Sequence, residues 1–237
     1  MSSASHSSAL GDAAWPDTDR AGLLLVPVGS LEQHGPHLPL DTDTCIAQSV
    51  TARLAELLGD AGHPAWVGPP LGYGSSGEHQ TFPGTVSIGG EALHHVVIEL
   101  VRSARTWIDR VVLVNAHGGN VPTLARAVEQ LRDEGHDAAW MPCRTESTDL
   151  HAGRTETSLM LHLRPGSVRL ERAASGDTRP LNEILPIMRE HGLRAVSPNG
   201  VLGDPAGATA AEGAQLLELM AQEIGDAITA RPVGSST

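Results

Sequence analysis

Residues 29–43 read Gly-Ser-Leu-Glu-Gln-His-Gly-Pro-His-Leu-Pro-Leu-Asp-Thr-Asp, and they follow directly on the apolar run Leu23 to Val28. The apolar run predicts a strand that is buried on both faces of a sheet. Two Gly and two Pro in the segment after it predict a shaped loop and not a continuing strand. Within twelve residues this loop carries five titratable side chains: Glu32, His34, His37, Asp41 and Asp43.

These side chains have the chemistry of a metal site. Carboxylate oxygens and neutral imidazole nitrogens are the ligands that hard and borderline divalent cations take, with no thiolate required. Glu32 and His34 are two residues apart, so an extended backbone points both side chains to the same side. Asp43 follows at the predicted start of a helix, where its carboxylate could bridge two cations or could simply cap the helix. We interpret the segment as the metal-binding loop of a hydrolase, the alternative being a solvated surface turn.

The composition indicates one globular domain with an aliphatic core. The 237 residues fit one large domain, with 40% hydrophobic and only 3% aromatic residues. The net charge of −12 argues against nucleic acid or an anionic membrane as a partner, because both attract basic patches. No apolar run is long enough for a membrane span. With no visible secretory signal, the two Cys favour small buried hydrophobes in a cytoplasmic protein over a disulfide framework.

Strands alternate with helices along the chain. The pattern predicts strands at 23–28, 66–71, 85–88, 111–114 and 138–141. It predicts helices at 44–58, 90–108, 121–134, 182–191 and 209–228, and a further helix that opens within 149–158 and ends at about 163. This alternation predicts an α/β fold with a mostly parallel sheet covered by helices on both faces. Residues 1–20 are predicted to form a disordered tail, 21–230 a single domain, and 231–237 a loose tail.

Three polar clusters each follow a predicted strand, at 32–43, at His117 and at 151–156. Ligands of parallel sheets bind beyond the carboxyl ends of the strands, so we expect these clusters to meet at one edge. His117 precedes two Gly that would leave the approach of a metal open, the alternative being a hydrogen-bonded His at a strand end. Glu156 begins a helix, where the helix dipole favours a carboxylate in any case. His151 precedes it by five residues, and a lone loop His is more often a surface residue than a catalytic one.

A Gly-rich polar loop at 72–80 lies between the second and third predicted strands. It lacks the Lys of a phosphate-binding P-loop, so it does not predict a nucleotide site. We interpret its Glu78 and His79 as candidates for substrate binding only, and we add His37 from the first loop to them.

The loop at 29–43 resembles the signature of the creatininase family. Further resemblances follow in the family's order: Ser-Gly-Glu-His at 76–79 with Phe-Pro-Gly-Thr at 82–85, Asn-Ala-His-Gly-Gly-Asn at 115–120, His-Ala-Gly at 151–153 with Glu-Thr-Ser at 156–158, and Gly-Val-Leu-Gly-Asp-Pro at 200–205. They span most of residues 23–228, and together they are highly specific. The resemblance implies a creatininase-like three-layer α/β/α sandwich, a divalent-metal amidohydrolase, and a homo-oligomer such as a hexamer.

The resemblance also implies roles for individual residues. It implies two divalent ions, and oxygen and nitrogen ligands suit Zn, Fe(II) or Mn. Asp43 corresponds to the ligand that bridges the two ions, and His151 matches the family's catalytic His. The positions that match the family's metal ligands are Glu32, His34, Asp43 and His117.

One expected ligand is missing from its usual place. Creatininase itself has a Glu ligand shortly after the metal-binding His, where this chain has Gly118 and Gly119. Family members with His-Gly-Gly-Asn use the Glu of the Glu-Thr-Ser motif instead, which implies Glu156 as the remaining ligand. The departure speaks against creatinine as the substrate.

Two runs, 29–43 and 76–89, resemble one branch of the family in particular. That branch releases a modified C-terminal dipeptide derived from Val-Tyr from a ribosomally made precursor, which implies a peptide substrate. A small cyclic amide or a formamide stays open as an alternative substrate. A metal-binding protein without turnover is a further alternative, and a flavodoxin-like nucleotide binder is disfavoured because no Gly-x-Gly-x-x-Gly follows the first strand.

Overall fold

Four strands and six helices form the regular structure of residues 8–18, 22–144 and 149–230, which the computed structural model describes. The strands are β1 (Leu23–Val28), β2 (Ala65–Val67), β3 (Arg110–Asn115) and β4 (Ala138–Pro142). The helices are α1 (Thr42–Asp60), α2 (Gly89–Ala104), α3 (Val121–Asp133), α4 (Arg154–Leu163), α5 (Leu181–His191) and α6 (Ala210–Thr229). Within these ranges no helix combines the length and the apolar character that crossing a membrane requires.

The four strands form one parallel sheet in the order β2-β1-β3-β4. β1 pairs with both neighbours, so Leu25 lies opposite Val67 on one side and Val112 on the other. β1 and β3 are buried along their whole length, as expected for strands that are covered on both faces. A helix follows each strand in the chain, and this lets the next strand run in the same direction.

The side chains of β1 alternate between two hydrophobic cores. Leu23 and Leu25 pack in the core with α1, α4 and α6, whereas Leu24 and Val26 pack in the core with α2 and α3. Helices therefore cover both faces of the sheet, and the predicted three-layer α/β/α sandwich with a parallel central sheet is confirmed.

Residues 85–88, predicted as a strand, do not join the sheet. Val86 forms an isolated antiparallel bridge with Leu31 instead. Gly84 and Gly89 have positive φ angles of 93° and 76°, so the chain turns on both sides of this short segment. The segment braces the loop after β1 and adds no strand.

Asp43 lies inside the first turn of α1 and does not cap it. The helix begins at Thr42, and the residue at the N-cap position is Asp41, whose side chain makes no capping hydrogen bond. The Asp43 carboxylate is buried and turns toward His34, with Oδ1 3.0 Å from Nε2. Of the two alternatives for Asp43, the structure therefore excludes the simple helix cap.

Residues 8–18 are more ordered than a disordered tail would be. They contain two short 3₁₀ turns, and the carbonyl of Ser8 accepts a hydrogen bond from the amide of Val67 in β2. Because β2 is an edge strand, this contact satisfies a backbone group that has no sheet partner on that side. The described residues do not include 1–7, 19–21, 145–148 and 231–237, which hold the rest of both predicted tails.

α6 crosses α4 closely at Gly213, where a Cβ would overlap the carbonyl group of Ser158. We expect Gly213→Ala to lower the free energy of unfolding by about 1–3 kcal/mol, because overpacking forces the two backbones apart. Gly225→Ala in the same helix is the matched control, since a Cβ there meets only the Leu54 side chain, at 3.5 Å. That variant should be neutral or more stable by up to about 1 kcal/mol. Urea unfolding measures both, and equal stabilities would contradict the close crossing.

Candidate metal centre

The carboxyl ends of the strands carry the three polar clusters. β1 ends at Val28 and leads into the loop before α1, and β3 ends at Asn115, two residues before His117. The third cluster, 151–156, follows β4 and extends into the first turn of α4. Side chains from all three clusters meet at this edge of the sheet, where ligands of parallel sheets bind.

Glu32, Asp43 and His117 form the first group of candidate ligands. One ligand atom from each lies within 4.8 Å of the others. His117 places Nε2 3.2 Å from Oε2 of Glu32 and Nδ1 3.3 Å from Oδ2 of Asp43. All three side chains are buried, and among the described residues both Glu32 oxygens and Oδ2 of Asp43 lack a hydrogen-bond partner. Buried carboxylate oxygens without partners are unfavourable, so this group fits a cation.

His34 and Glu156 form a second group next to the first. Nε2 of His34 lies 3.0 Å from Oδ1 of Asp43 and 3.8 Å from Oε2 of Glu156. His151 joins His34 and Glu156 in a set whose ligand atoms lie within 4.8 Å of one another. Asp43 thus turns one carboxylate oxygen toward each group, as a carboxylate that bridges two cations does. The donor set of oxygen and nitrogen fits two divalent ions.

Hydrogen bonds within the first loop shape the part that presents Glu32 and His34. The amide of Glu32 donates to the carbonyl of Leu40 at 3.0 Å, and the amide of Leu38 donates to the carbonyl of His34 at 3.3 Å. Gly35, which follows His34 and has a φ of 63°, lets the chain turn back at this point. The loop therefore folds back on itself and keeps both candidate ligands buried.

Glu156 is held by the backbone just before its own helix, α4, which begins at Arg154. Its Oε2 accepts a hydrogen bond of 2.6 Å from the amide of Ala152. Ala152 has a φ of 53°, and it is the one non-Gly residue with a positive φ in the described part of the chain. That conformation costs roughly 1–2 kcal/mol for a residue with a Cβ. A strained backbone thus lies directly beside His151 and fixes Glu156.

Three further predicted residues contact the cluster. Nδ1 of His151 lies 3.8 Å from Oε1 of Glu32, and Nε2 of His79 lies 3.3 Å from the same oxygen. Oε1 of Glu78 lies 3.7 Å from Nε2 of His117. The Gly-rich loop therefore adds a carboxylate and an imidazole to the site.

His37 stands apart from these residues. Its buried side chain places Nε2 2.9 Å from Oγ1 of Thr157 in α4. Among the described residues it belongs to none of the groups that could hold a metal ion. These contacts favour a packing role over the predicted contact with substrate, because they hold the imidazole against the helix.

Asn120 organises the site through its side-chain amide. Its Oδ1 accepts from the amide of Ser75, and its Nδ2 donates to the carbonyl of Gly29 and to Oδ1 of Asn115. The side chain makes no capping hydrogen bond to α3. Asn120 therefore ties together the segments that follow β1 and β3 and the Gly-rich loop.

Gln33 is a second organising residue, for which the sequence predicted no role. Its side-chain Nε2 lies 2.9 Å from Nδ1 of His79, and its Oε1 accepts from the amide of Gly35 at 2.9 Å. A Gln neither titrates nor offers a strong metal ligand. Nothing in a single sequence therefore distinguishes it from other polar loop residues.

Without a cation, the pKa values of three candidate ligands, His34, His117 and Glu156, are raised. Burial disfavours the charged form of His34, but Asp43 and then Glu156 outweigh it and raise the pKa of His34 to about 10. Burial likewise opposes charge on His117, and the carboxylates of Glu32 and Asp43 raise its pKa well above the ordinary value. Burial raises the pKa of Glu156 to about 7. Protonated imidazoles thus balance the carboxylates, as a divalent cation would.

The two other imidazoles of the site shift in the opposite direction. Burial lowers the pKa of His79 to about 4. Burial and then the neighbouring His34 lower the pKa of His151 well below the ordinary value. Both side chains are therefore neutral near pH 7 and each offers one donor and one acceptor nitrogen.

Metal loading is expected to release protons. His34 and His117 must lose their protons before they can bind a metal, and Glu156 must lose its proton at a pH below about 7. Because ions and protons compete, zinc affinity should rise with pH, and about two protons should appear per chain at pH 7.5. Titration of zinc into the metal-free protein, in weak buffer with a pH indicator, measures this release. Zinc binding without proton release would contradict the ligand set.

A cavity of about 470 Å³ opens beside the cluster. His117, His151 and Glu156 of the cluster line it, together with four further polar or charged residues, Asn115, Arg144, Asp149 and Thr155. Its remaining lining is largely apolar and includes Ile46, Val121, Trp140, Leu150, Leu181 and Met220. The cavity has room for a small amide or for the last side chains of a peptide, next to the candidate ligands.

Residues 12–228 match the family model described as "Creatininase: Creatinine amidohydrolase". The chain belongs to the creatininase family. This creatininase-family protein is 53% identical to the mycofactocin precursor peptide peptidase of Mycolicibacterium smegmatis over 207 residues. The match covers 87% of this chain and 84% of that protein. It is 32% identical, over 256 residues, to the creatinine amidohydrolase of Pseudomonas putida, which covers 92% of this chain and 95% of that protein.

Solved creatininase structures share the fold of this creatininase-family protein. A crystal structure of creatinine amidohydrolase superposes with a TM-score of 0.78 at 30% identity and covers 95% of this chain and 98% of that one. A mutant creatininase described as "Zn-Zn type" has a TM-score of 0.77 at 29% identity and covers 95% and 98%. A form described as "Creatininase Mn" has a TM-score of 0.76 at 29% identity and covers 94% and 97%. The family and the fold predicted from the sequence motifs are confirmed.

Proposed function

We propose that this protein is a divalent-metal peptidase that releases the modified, Val-Tyr-derived dipeptide from the C-terminus of the mycofactocin precursor peptide. Asp43 carries the metal-hydrolase part of the proposal, because its two carboxylate oxygens face two separate groups of candidate ligands. The relative named mycofactocin precursor peptide peptidase, at 53% identity, supports the peptide substrate. The amidohydrolase family supports cleavage of a C–N bond.

The proposed ligands divide into two sets that share Asp43. Glu32 and His117 would hold one ion with it, and His34 and Glu156 would hold the other, with Asp43 reaching His34 through Oδ1. The creatininases with two zinc ions or with manganese favour Zn or Mn, and Fe(II) accepts the same oxygen and nitrogen donors. When bound, the ions polarise the scissile carbonyl and lower the pKa of the attacking water.

His151 is the proposed proton carrier. Its Nε2 lies 2.8 Å from the main-chain carbonyl of Gln33, which can only accept, so Nε2 carries the hydrogen and Nδ1 carries the lone pair. Nδ1 faces Glu32 at the ligand cluster, and His151 also lines the cavity. It can therefore take the proton from the attacking water and return it to the nitrogen of the leaving amine.

The cavity is the proposed binding site for the residues after the scissile bond. Trp140, Leu150 and Leu181 offer the apolar and aromatic surface that Val-derived and Tyr-derived side chains bury. Glu78 and His79 contact the cluster but are not part of the cavity lining. A homo-oligomer and a cytoplasmic location stay predictions.

A second candidate function keeps the same metal chemistry and changes the substrate. The creatinine amidohydrolase of Pseudomonas putida is 32% identical, which favours a small cyclic amide, and formamides need the same metal-polarised carbonyl. Gly118 and Gly119 stand where creatininase has its additional Glu ligand, and this weakens the case for creatinine.

The substrate is tested by incubating the zinc-loaded protein with three compounds: the modified precursor peptide, creatinine and a formamide. We expect mass spectrometry to show release of the C-terminal dipeptide, because the cavity is large enough for two side chains. Removal of zinc by a chelator should stop the release, and added zinc should restore it. Turnover of creatinine or the formamide without cleavage of the peptide would favour the second candidate and overturn the first.

A further inference from the structure

Gln33 contacts the two imidazoles beside the ligand cluster that are not proposed as ligands, His79 and His151. Its Nε2 lies 2.9 Å from Nδ1 of His79, 3.0 Å from Nε2 of His151 and 2.9 Å from the carbonyl oxygen of Gly200. Its Oε1 accepts a hydrogen bond from the amide of Gly35. That bond fixes which end of the buried side-chain amide is the oxygen, so Nε2 is the donor end.

The two hydrogens on Nε2 of Gln33 can be assigned among its three neighbours. The carbonyl of Gly200 only accepts, and it takes the first hydrogen. Nε2 of His151 already donates to the main-chain carbonyl of Gln33, so it cannot accept from the side chain. The second hydrogen therefore goes to Nδ1 of His79, which must be the acceptor nitrogen of that ring.

The tautomer of His79 follows from this assignment. When Nδ1 of a neutral imidazole accepts a hydrogen bond, Nε2 carries the hydrogen. Nε2 of His79 lies 3.3 Å from Oε1 of Glu32, while the other oxygen of Glu32 lies 3.2 Å from His117. His79 does not line the cavity, so its N–H faces a candidate ligand and not the substrate. The contact between His79 and Oε1 of Glu32 is not aligned as a hydrogen bond here. Catalytic hydrogen bonds are often poorly aligned before a site is filled.

We propose that Gln33 is a positioning residue that sets the tautomer of His79, so that His79 holds an N–H against Oε1 of Glu32 and leaves Oε2 for the metal ion. The inference rests on the proposed function only in taking Glu32 as a ligand. Partners of metal ligands orient them, and their loss typically lowers metal affinity or activity by about 10–100-fold. Gly200 belongs to this arrangement, because a Cβ there would overlap Oε1 of Gln33.

Gln33→Met is the variant that separates the side chain from the main chain. It keeps the length of the side chain and the carbonyl that His151 donates to, but it removes the amide. Long-range ¹H–¹⁵N NMR spectra of the zinc-loaded protein show which nitrogen of each imidazole carries hydrogen. In the wild type we expect hydrogen on Nε2 of both rings. In the variant His79 should become a mixture of tautomers, while His151 stays unchanged.

Zinc affinity provides the second readout. Competition with a chelator should show about 10–100-fold weaker zinc binding for Gln33→Met. Gln80→Met is the matched control, because Gln80 is exposed next to His79, and it should behave as the wild type.

A wild-type His79 with hydrogen on Nδ1, or unchanged tautomer and zinc affinity in Gln33→Met, would overturn the proposal. If that variant does not fold, the wild-type spectrum decides. A wild type that cleaves no peptide would overturn the proposed function and leave both readouts intact.

Discussion

His151→Gln is expected to lower kcat for peptide cleavage by about 10²–10⁴-fold, the range for loss of a general acid–base group. Nδ1 carries the lone pair that faces the cluster, because Nε2 donates to the carbonyl of Gln33. A Gln amide can imitate the hydrogen bond but cannot take up a proton. His151 is not among the proposed ligands, so the zinc content of the variant should remain at the wild-type value.

Steady-state kinetics and metal analysis of the same sample test this prediction. His162→Gln is the matched control, since His162 lies exposed on α4, and it should retain wild-type kcat. An unchanged kcat in His151→Gln would remove His151 from the mechanism. Loss of zinc together with activity would instead indicate that His151 acts as a ligand, in the set that it forms with His34 and Glu156.

Asp43→Asn is expected to abolish binding of at least one metal ion and to lower kcat/KM by more than about 100-fold, beyond the effect of losing an outer partner. Oδ1 of Asp43 faces His34 and Oδ2 faces His117, so both proposed ions depend on this carboxylate. Asn has the same size but no charge and only one acceptor oxygen, so it cannot bridge two cations.

Metal analysis of the purified variant, followed by the peptide assay, measures both effects. Asp60→Asn is the control, because Asp60 is exposed at the other end of α1 and touches none of the cluster. It should keep two ions per chain and full activity. An Asp43→Asn protein that also keeps both would show that Asp43 is not the bridge.

The sheet and the main helices could be predicted because they follow from apolar patterns that tertiary contacts do not override. The run Leu23 to Val28 is buried at every position and forms β1, one of the two inner strands of the sheet. The meeting of Glu32, Asp43 and His117 followed from topology alone, since clusters after parallel strands share one edge of the sheet. The roles of these residues still depended on the resemblance to a family.

Other features depend on contacts between distant segments, which no local pattern records. Val86 looked like part of a strand, but the neighbouring Gly84 and Gly89 turn the chain away from the sheet. Gln33 and Asn120 have ordinary polar side chains, and their importance lies in partners more than forty residues away in the chain, as with the 46 residues from Gln33 to His79. The cavity is likewise built from residues of many elements, so its volume could not be read from the chain.

Anomalous diffraction from crystals of the zinc-loaded protein, recorded on both sides of the zinc absorption edge, tests the two-ion site most directly. We expect two peaks that share the Asp43 carboxylate, each with ligand atoms at about 2.0–2.2 Å. One should lie among Glu32, Asp43 and His117, and the other among His34, Asp43 and Glu156. A structure with zinc peaks only outside this cluster would contradict the two-metal site.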